Sequence, residues 1–108
     1  MIRVISQNLP QIEALCREHR IQWLDVFGSA ATGAFDQETS DIDLICDLGE
    51  YESGVADRLF AFADALEALL GHKVDLLTTP MIRNPYFRQA IDEQRVRLYA
   101  ARNRQAAA

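Results

Sequence analysis

Val26-Phe27-Gly28-Ser29-Ala30-Ala31-Thr32-Gly33, followed after a polar loop by Ser40-Asp41-Ile42-Asp43-Leu44-Ile45-Cys46-Asp47, is the part of the chain whose reading decides the fold. The first block ends a β-rich run, Ile21 to Phe27, at a glycine that stops a strand. The second reads as another strand, Ile42 to Leu48, closed by Gly49. Side chains alternate faces along a strand, so Asp41, Asp43, Ile45 and Asp47 share one side and Ile42, Leu44 and Cys46 the other. A turn of small residues beside two carboxylates of one strand can hold phosphate oxygens and a divalent cation.

Working outward, Asn8 to His19 has Leu9, Ile12, Leu15 and Cys16 at helical spacing, and Asn8 with Gln11 three residues on resembles a capping box. Residues 30 to 40 form a polar loop that can begin with a helical turn. From about Ser53 to Leu70, Val55, Leu59, Phe62, Leu66 and Leu69 make one apolar stripe, and Gly71 stands where a C-terminal cap belongs. Lys73 to Thr78 is a third strand, apolar except for Asp75. Pro80 and Pro85 mark a turn before a weaker helix, Tyr86 to Glu93, and Val96 to Tyr99 adds an edge strand. The alternation predicts an α/β domain, a small mixed β-sheet with helices packed on it. Residues 1–20 are expected as an N-terminal helix, 21–99 as the core and 100–108 as a loose tail.

A chain of 108 residues with 49% hydrophobic content supports one folded domain. No apolar run reaches the roughly 18–20 residues that span a bilayer, and Met1 to Ser6 lacks a secretory apolar core, so a cytoplasmic location is expected. Cys16 and Cys46 form no CxxC pair and read as buried, reduced thiols, while His19 and His72 lack metal-ligand spacing. The net charge of −5 argues against sequence-blind nucleic-acid binding, and none is expected. From Arg83 onward, however, six arginines face only Asp92 and Glu93, a basic third on an acidic body that could steer an anion or dock an acidic partner.

Asp75 lies in the next β segment, where pairing beside the second strand could bring it to Asp41 and Asp43. Three ionised carboxylates about 5 Å apart repel by roughly 3 kcal/mol per pair at an effective dielectric near 20. Oxygen ligands without His or Cys favour Mg²⁺ or Mn²⁺. Taken singly, Asp41 could be a cap beside Ser40, Asp43 an ion-pair partner and Asp75 an exposed edge residue. Gly28 lets a phosphate approach the backbone, Ser29 offers a hydroxyl and an N–H, and Gly33 can serve the following turn. No Gly-Lys-Ser/Thr follows, so this is not a Walker P-loop.

Phe27-Gly28-Ser29-Ala30-Ala31-Thr32-Gly33, Ser40-Asp41-Ile42-Asp43-Leu44 and Val74-Asp75-Leu76 together resemble the minimal nucleotidyltransferases of the DNA polymerase β-like superfamily. The family motif is Gly-Ser, about ten residues, Asp-x-Asp and a later carboxylate. The resemblance implies that Gly28, Ser29, Gly33 and Ser40 contact nucleotide phosphates. It implies Asp41 and Asp43 as metal ligands, with Asp75 joining a second metal or activating the attacking hydroxyl. The chemistry implied is in-line attack on the α-phosphate of ATP with Mg²⁺, or Mn²⁺, as cofactor. Two departures stand out. Thr32 replaces an Arg carried by many members, which could weaken triphosphate contact or leave Arg83 or Arg88 to supply the charge, and the spacer Ala30 to Ser40 holds 11 residues, one more than ten.

Short members resemble the antitoxin half of HEPN/MNT toxin–antitoxin pairs. That resemblance implies a Mg-dependent protein adenylyltransferase that moves AMP from ATP to a tyrosine hydroxyl of a cognate HEPN ribonuclease toxin and forms an oligomer with it. The alternatives are a non-catalytic antitoxin that neutralises its toxin by binding, or a nucleotidyltransferase for a small molecule or RNA end.

Overall fold

The computed structural model describes residues 1–101. In chain order the elements are α1 (Arg3–Ser6), α2 (Leu9–Glu18), β1 (Trp23–Phe27), α3 (Ser29–Thr32), β2 (Ile42–Asp47), α4 (Val55–Leu70), β3 (Val74–Thr78), a 3-10 turn (Thr79–Met81), α5 (Pro85–Gln94) and β4 (Val96–Ala100). The strands form one mixed sheet in the order β3-β2-β1-β4. β1 pairs antiparallel with β2 and β4, and β2 pairs parallel with β3. A parallel pair needs a crossover, and the 16-residue α4 provides it.

Alternation along β2 divides the molecule into two packed layers. Ile42, Leu44 and Cys46 join Leu24 and Val26 of β1 in the main core, against Ile12 and Cys16 of α2 and Leu59, Phe62 and Leu66 of α4. Phe62 is fully enclosed, so Phe62→Ala is expected to cost about 3–5 kcal/mol. Val55 and Leu69 complete the expected stripe as partly buried neighbours of this core. α4 ends at Gly71, whose N–H donates to Glu67 O at 2.9 Å. On the opposite face Phe27 and Ile45 pack with Ile91 of α5, flanked by Trp23, Leu77 and Ile82. The face carrying Asp43 is therefore covered by α5 only in part.

Arg58 of α4 ties that helix to the end of α2 and the end of β2, donating to His19 O, Arg20 O and Leu48 O at 3.2, 3.0 and 2.9 Å. Cys16 and Cys46 are free and buried, and burial pushes each thiol up to about 12.

Two local readings need correction. The N-terminal segment is two helices, not one, and the capping box at Asn8 does not form. Asn8 Nδ2 instead donates to Val4 O at 2.7 Å, serving the turn before it rather than the helix after it. The second correction is at α5, which starts one residue early, at Pro85, because Asn84 Oδ1 accepts from the N–H groups of Tyr86 and Phe87 at 2.9 and 3.3 Å. Phe60 and Phe87 are exposed, whereas Phe62 lies in the core. The expected tail from 100 onward, with Arg102 and Arg104, lies outside the described residues beyond Ala101. No described helix is long and apolar enough to cross a membrane.

Candidate active site

Strand register builds the site. The β1–β2 pairing sets Phe27 opposite Asp43, so the next residue, Gly28, leaves the sheet beside the Asp43 side chain. Gly28 has φ 67° and ψ −152°, a region open essentially to glycine alone. A Cβ added there would collide with the Asp43 carboxylate. The chain then makes one helical turn, in which Ala31 N–H and Thr32 N–H both donate to Gly28 O at 3.1 Å. Gly33 ends the turn at φ 92°, its N–H donating to Ser29 O at 3.0 Å. Ser29 is half-buried, and Thr32 projects into solvent.

The parallel β2–β3 pairing places Asp75 directly beside Asp43. Asp41 stands exposed at the entry to β2, two residues away on the same side. Burial, then the charges of Asp75 and Asp41, pushes the half-buried Asp43 carboxyl up to about 6. Among the described residues no Lys, Arg or His nitrogen lies within ion-pair distance of these three aspartates. Nor do any three His, Cys, Asp or Glu side chains among the described residues converge tightly enough to hold a metal ion. The chemistry of the donors nonetheless fits a hard cation, being all carboxylate oxygen with unneutralised charge.

Ser40 closes the loop that leads into β2. Its hydroxyl accepts from Asp36 N–H at 3.0 Å, and its own N–H donates to Asp36 O at 2.9 Å. The Asp36 carboxylate accepts from Glu38 N–H at 2.8 Å, which holds its pKa below the usual carboxylate value. Arg88 lines a cleft with Asp47, Tyr51 and Thr79 at the far end of β2, remote from Gly28, and Arg83 is exposed in the turn before α5.

Two features of this face escape sequence reasoning. Asp25, 2% exposed inside an apolar strand, pairs with Arg95 Nε at 2.7 Å and with Arg97 Nε. Both guanidinium groups lie over the Trp23 ring, 5.1 and 5.3 Å from its centroid. The available signal was Asp25 sharing a face with Trp23 and Phe27, matched by arginines two apart, one just before the edge strand and one within it. The second feature is Gln94, whose Oε1 accepts from Gly28 N–H at 3.2 Å; nothing in the sequence singles it out.

The family profile described as a nucleotidyltransferase domain matches residues 11–98. The chain belongs to the nucleotidyltransferase family. It is 35% identical over 95 residues to a candidate protein adenylyltransferase of Methanocaldococcus jannaschii, covering 81% of this chain and 94% of that relative. A solved candidate minimal nucleotidyltransferase superposes with a TM-score of 0.66 at 27% identity, over 85% of this chain and 90% of its own. A tri-AMPylated HEPN toxin of Shewanella oneidensis in complex with its MNT antitoxin gives a TM-score of 0.59 at 20% identity, over 94% of this chain and 76% of that one. At that identity the likeness shows the fold. The mixed sheet is thus a nucleotidyltransferase sheet, and the Gly28 turn and the Asp43 strand stand in the matched region of this nucleotidyltransferase.

Proposed function

We propose that this cytoplasmic nucleotidyltransferase transfers AMP from ATP to a tyrosine hydroxyl of a cognate HEPN ribonuclease toxin, inactivating it. The observation that carries the reading is the register setting Asp43 between the Gly28 turn and Asp75, with no cation from the described chain to neutralise it. Relatives named as protein adenylyltransferases, and the fold shared with an antitoxin bound to an AMPylated toxin, support the choice of acceptor.

In this reading the Gly28 and Ser29 turn receives phosphate oxygens, closed by Gly33, with Ser40 at the other rim. Asp41 and Asp43 would hold Mg²⁺ or Mn²⁺, joined by Asp75. When bound, the cation neutralises phosphate charge and fixes phosphate orientation. The tyrosine oxygen attacks the α-phosphorus in line. A new O–P bond forms as the bond to the β-phosphate bridging oxygen breaks, and pyrophosphate leaves. The tyrosine proton passes to a carboxylate oxygen of Asp75, which is exposed at the sheet edge where an incoming side chain can reach it. The attached AMP adds negative charge and bulk to an RNA-cleaving surface.

A second reading, neutralisation by binding alone, is favoured by Thr32 at a position where the family commonly has Arg and by the open spacing of the carboxylates. One experiment separates the two. The protein is mixed with the HEPN product of a neighbouring gene, Mg²⁺ and ATP labelled at the α-phosphate. Label on a toxin tyrosine, lost in Asp41→Ala and Asp43→Ala, supports transfer. Toxin silenced equally well by those variants without ATP defeats transfer and establishes binding.

A further inference from the structure

We propose that Gln94 is a placeholder for phosphate, the group that an incoming nucleotide must displace from the Gly28 turn. Gly28 N–H donates to Gln94 Oε1 at 3.2 Å across 66 residues of sequence. The backbone that delivers this side chain is held on the following residue. Arg95 N–H donates to Ile91 O at 2.8 Å, closing α5, and its side chain reaches Asp25 at 2.7 Å and Asp92 at 2.8 Å. Gln94 therefore stands at a defined position at the end of α5.

A neutral amide oxygen offers an N–H donor an acceptor lone pair, as a phosphate oxygen does, but with less negative charge. Charge-assisted bonds are about twice as strong as neutral ones, so phosphate wins the exchange. It wins by less than it would at a bare turn. Gln94 thus lowers affinity for every phosphate ligand and returns to the turn when pyrophosphate leaves. Glycine at 28 suits the exchange, because a side chain there would strike Asp43 and narrow the approach.

The inference rests on the nucleotide-site reading above, and the test keeps the two apart. Inorganic tripolyphosphate with Mg²⁺ is titrated into the wild type, Gln94→Ala and Gln94→Glu by calorimetry, with the five glycine amides followed by NMR. Gln94→Ala should bind about five-fold tighter, the share of one exposed hydrogen bond, with an unchanged melting temperature. Gln94→Glu should bind more weakly than wild type. The Gly28 amide should be the glycine signal that moves most, both on titration and between free wild type and free Gln94→Ala. Wild-type binding that Gln94→Ala leaves unchanged or weakens overturns the placeholder alone. Failure of all three proteins to bind overturns the phosphate turn and the placeholder with it.

Discussion

Asp25 and Asp43 lie on the same face of the same sheet, one strand and two residues apart in register, yet their surroundings are opposite. Asp25 is enclosed and held by Arg95 and Arg97, both resting over Trp23. Burial opposes the charge on Arg95, and its hydrogen bonds to Asp25 and Asp92 outweigh that and push its pKa up. Asp43 is half-buried, and that burial, with the charges of Asp75 and Asp41, pushes its carboxyl up to about 6; among the described residues no cation pairs with it. The first acid is neutralised from within the chain and serves the fold. The second is left charged, and a domain keeps such a cost where a ligand offsets it.

The contrast is broken most severely at Asp25. Asp25→Ala strands two guanidinium groups beside an apolar layer and should lower stability by about 3 kcal/mol in urea unfolding. A loss under about 1 kcal/mol would mean that the pair is mere surface decoration. Gly28→Ala comes next. Its backbone strain and the clash with Asp43 should cost about 2 kcal/mol, and the cost should shrink in an Asp43→Ala background, where the obstructing carboxylate is gone. Equal costs in both backgrounds would remove Asp43 from the account of Gly28.

Asp43→Asn should act in the other direction. The folded carboxyl holds its proton more tightly than the unfolded one, so ionisation is penalised as pH rises from about 4 through about 6. The penalty is fully present above that window. Asp43→Asn is therefore expected to be more stable than wild type at pH 7.5 by on the order of 1 kcal/mol, after allowing for solvent screening. The advantage should vanish below pH 4. Thermal melts across pH measure it, and a destabilised variant at pH 7.5 would contradict it.

Much of this was legible in the sequence for a physical reason. Period-two alternation in Asp41 to Asp47 assigned faces, period-3.6 spacing in α4 assigned the core stripe, and Gly28 and Gly71 punctuated both. The candidate acids stood out because carboxylates in an apolar strand demand an explanation. What stayed hidden depends on long-range partners. Asp25 has no partner near it in sequence, and its pairing exists only once β4 folds back to bring Arg97 opposite it. Gln94 has no local signature at all, since its contact with Gly28 exists only once α5 lies across the sheet. Asn8 misled because an Asn that can cap the following helix can equally satisfy the preceding turn.

The central claim is that Asp43 weakens the free fold because Mg–ATP later offsets its charge. Melting temperatures of wild type and Asp43→Asn at pH 7.5, without ligand and with saturating Mg–ATP, test it directly. The account predicts a crossing: Asp43→Asn melts higher alone, and wild type melts higher with Mg–ATP. An order that stays the same in both conditions, with equal shifts in the two proteins, would contradict it.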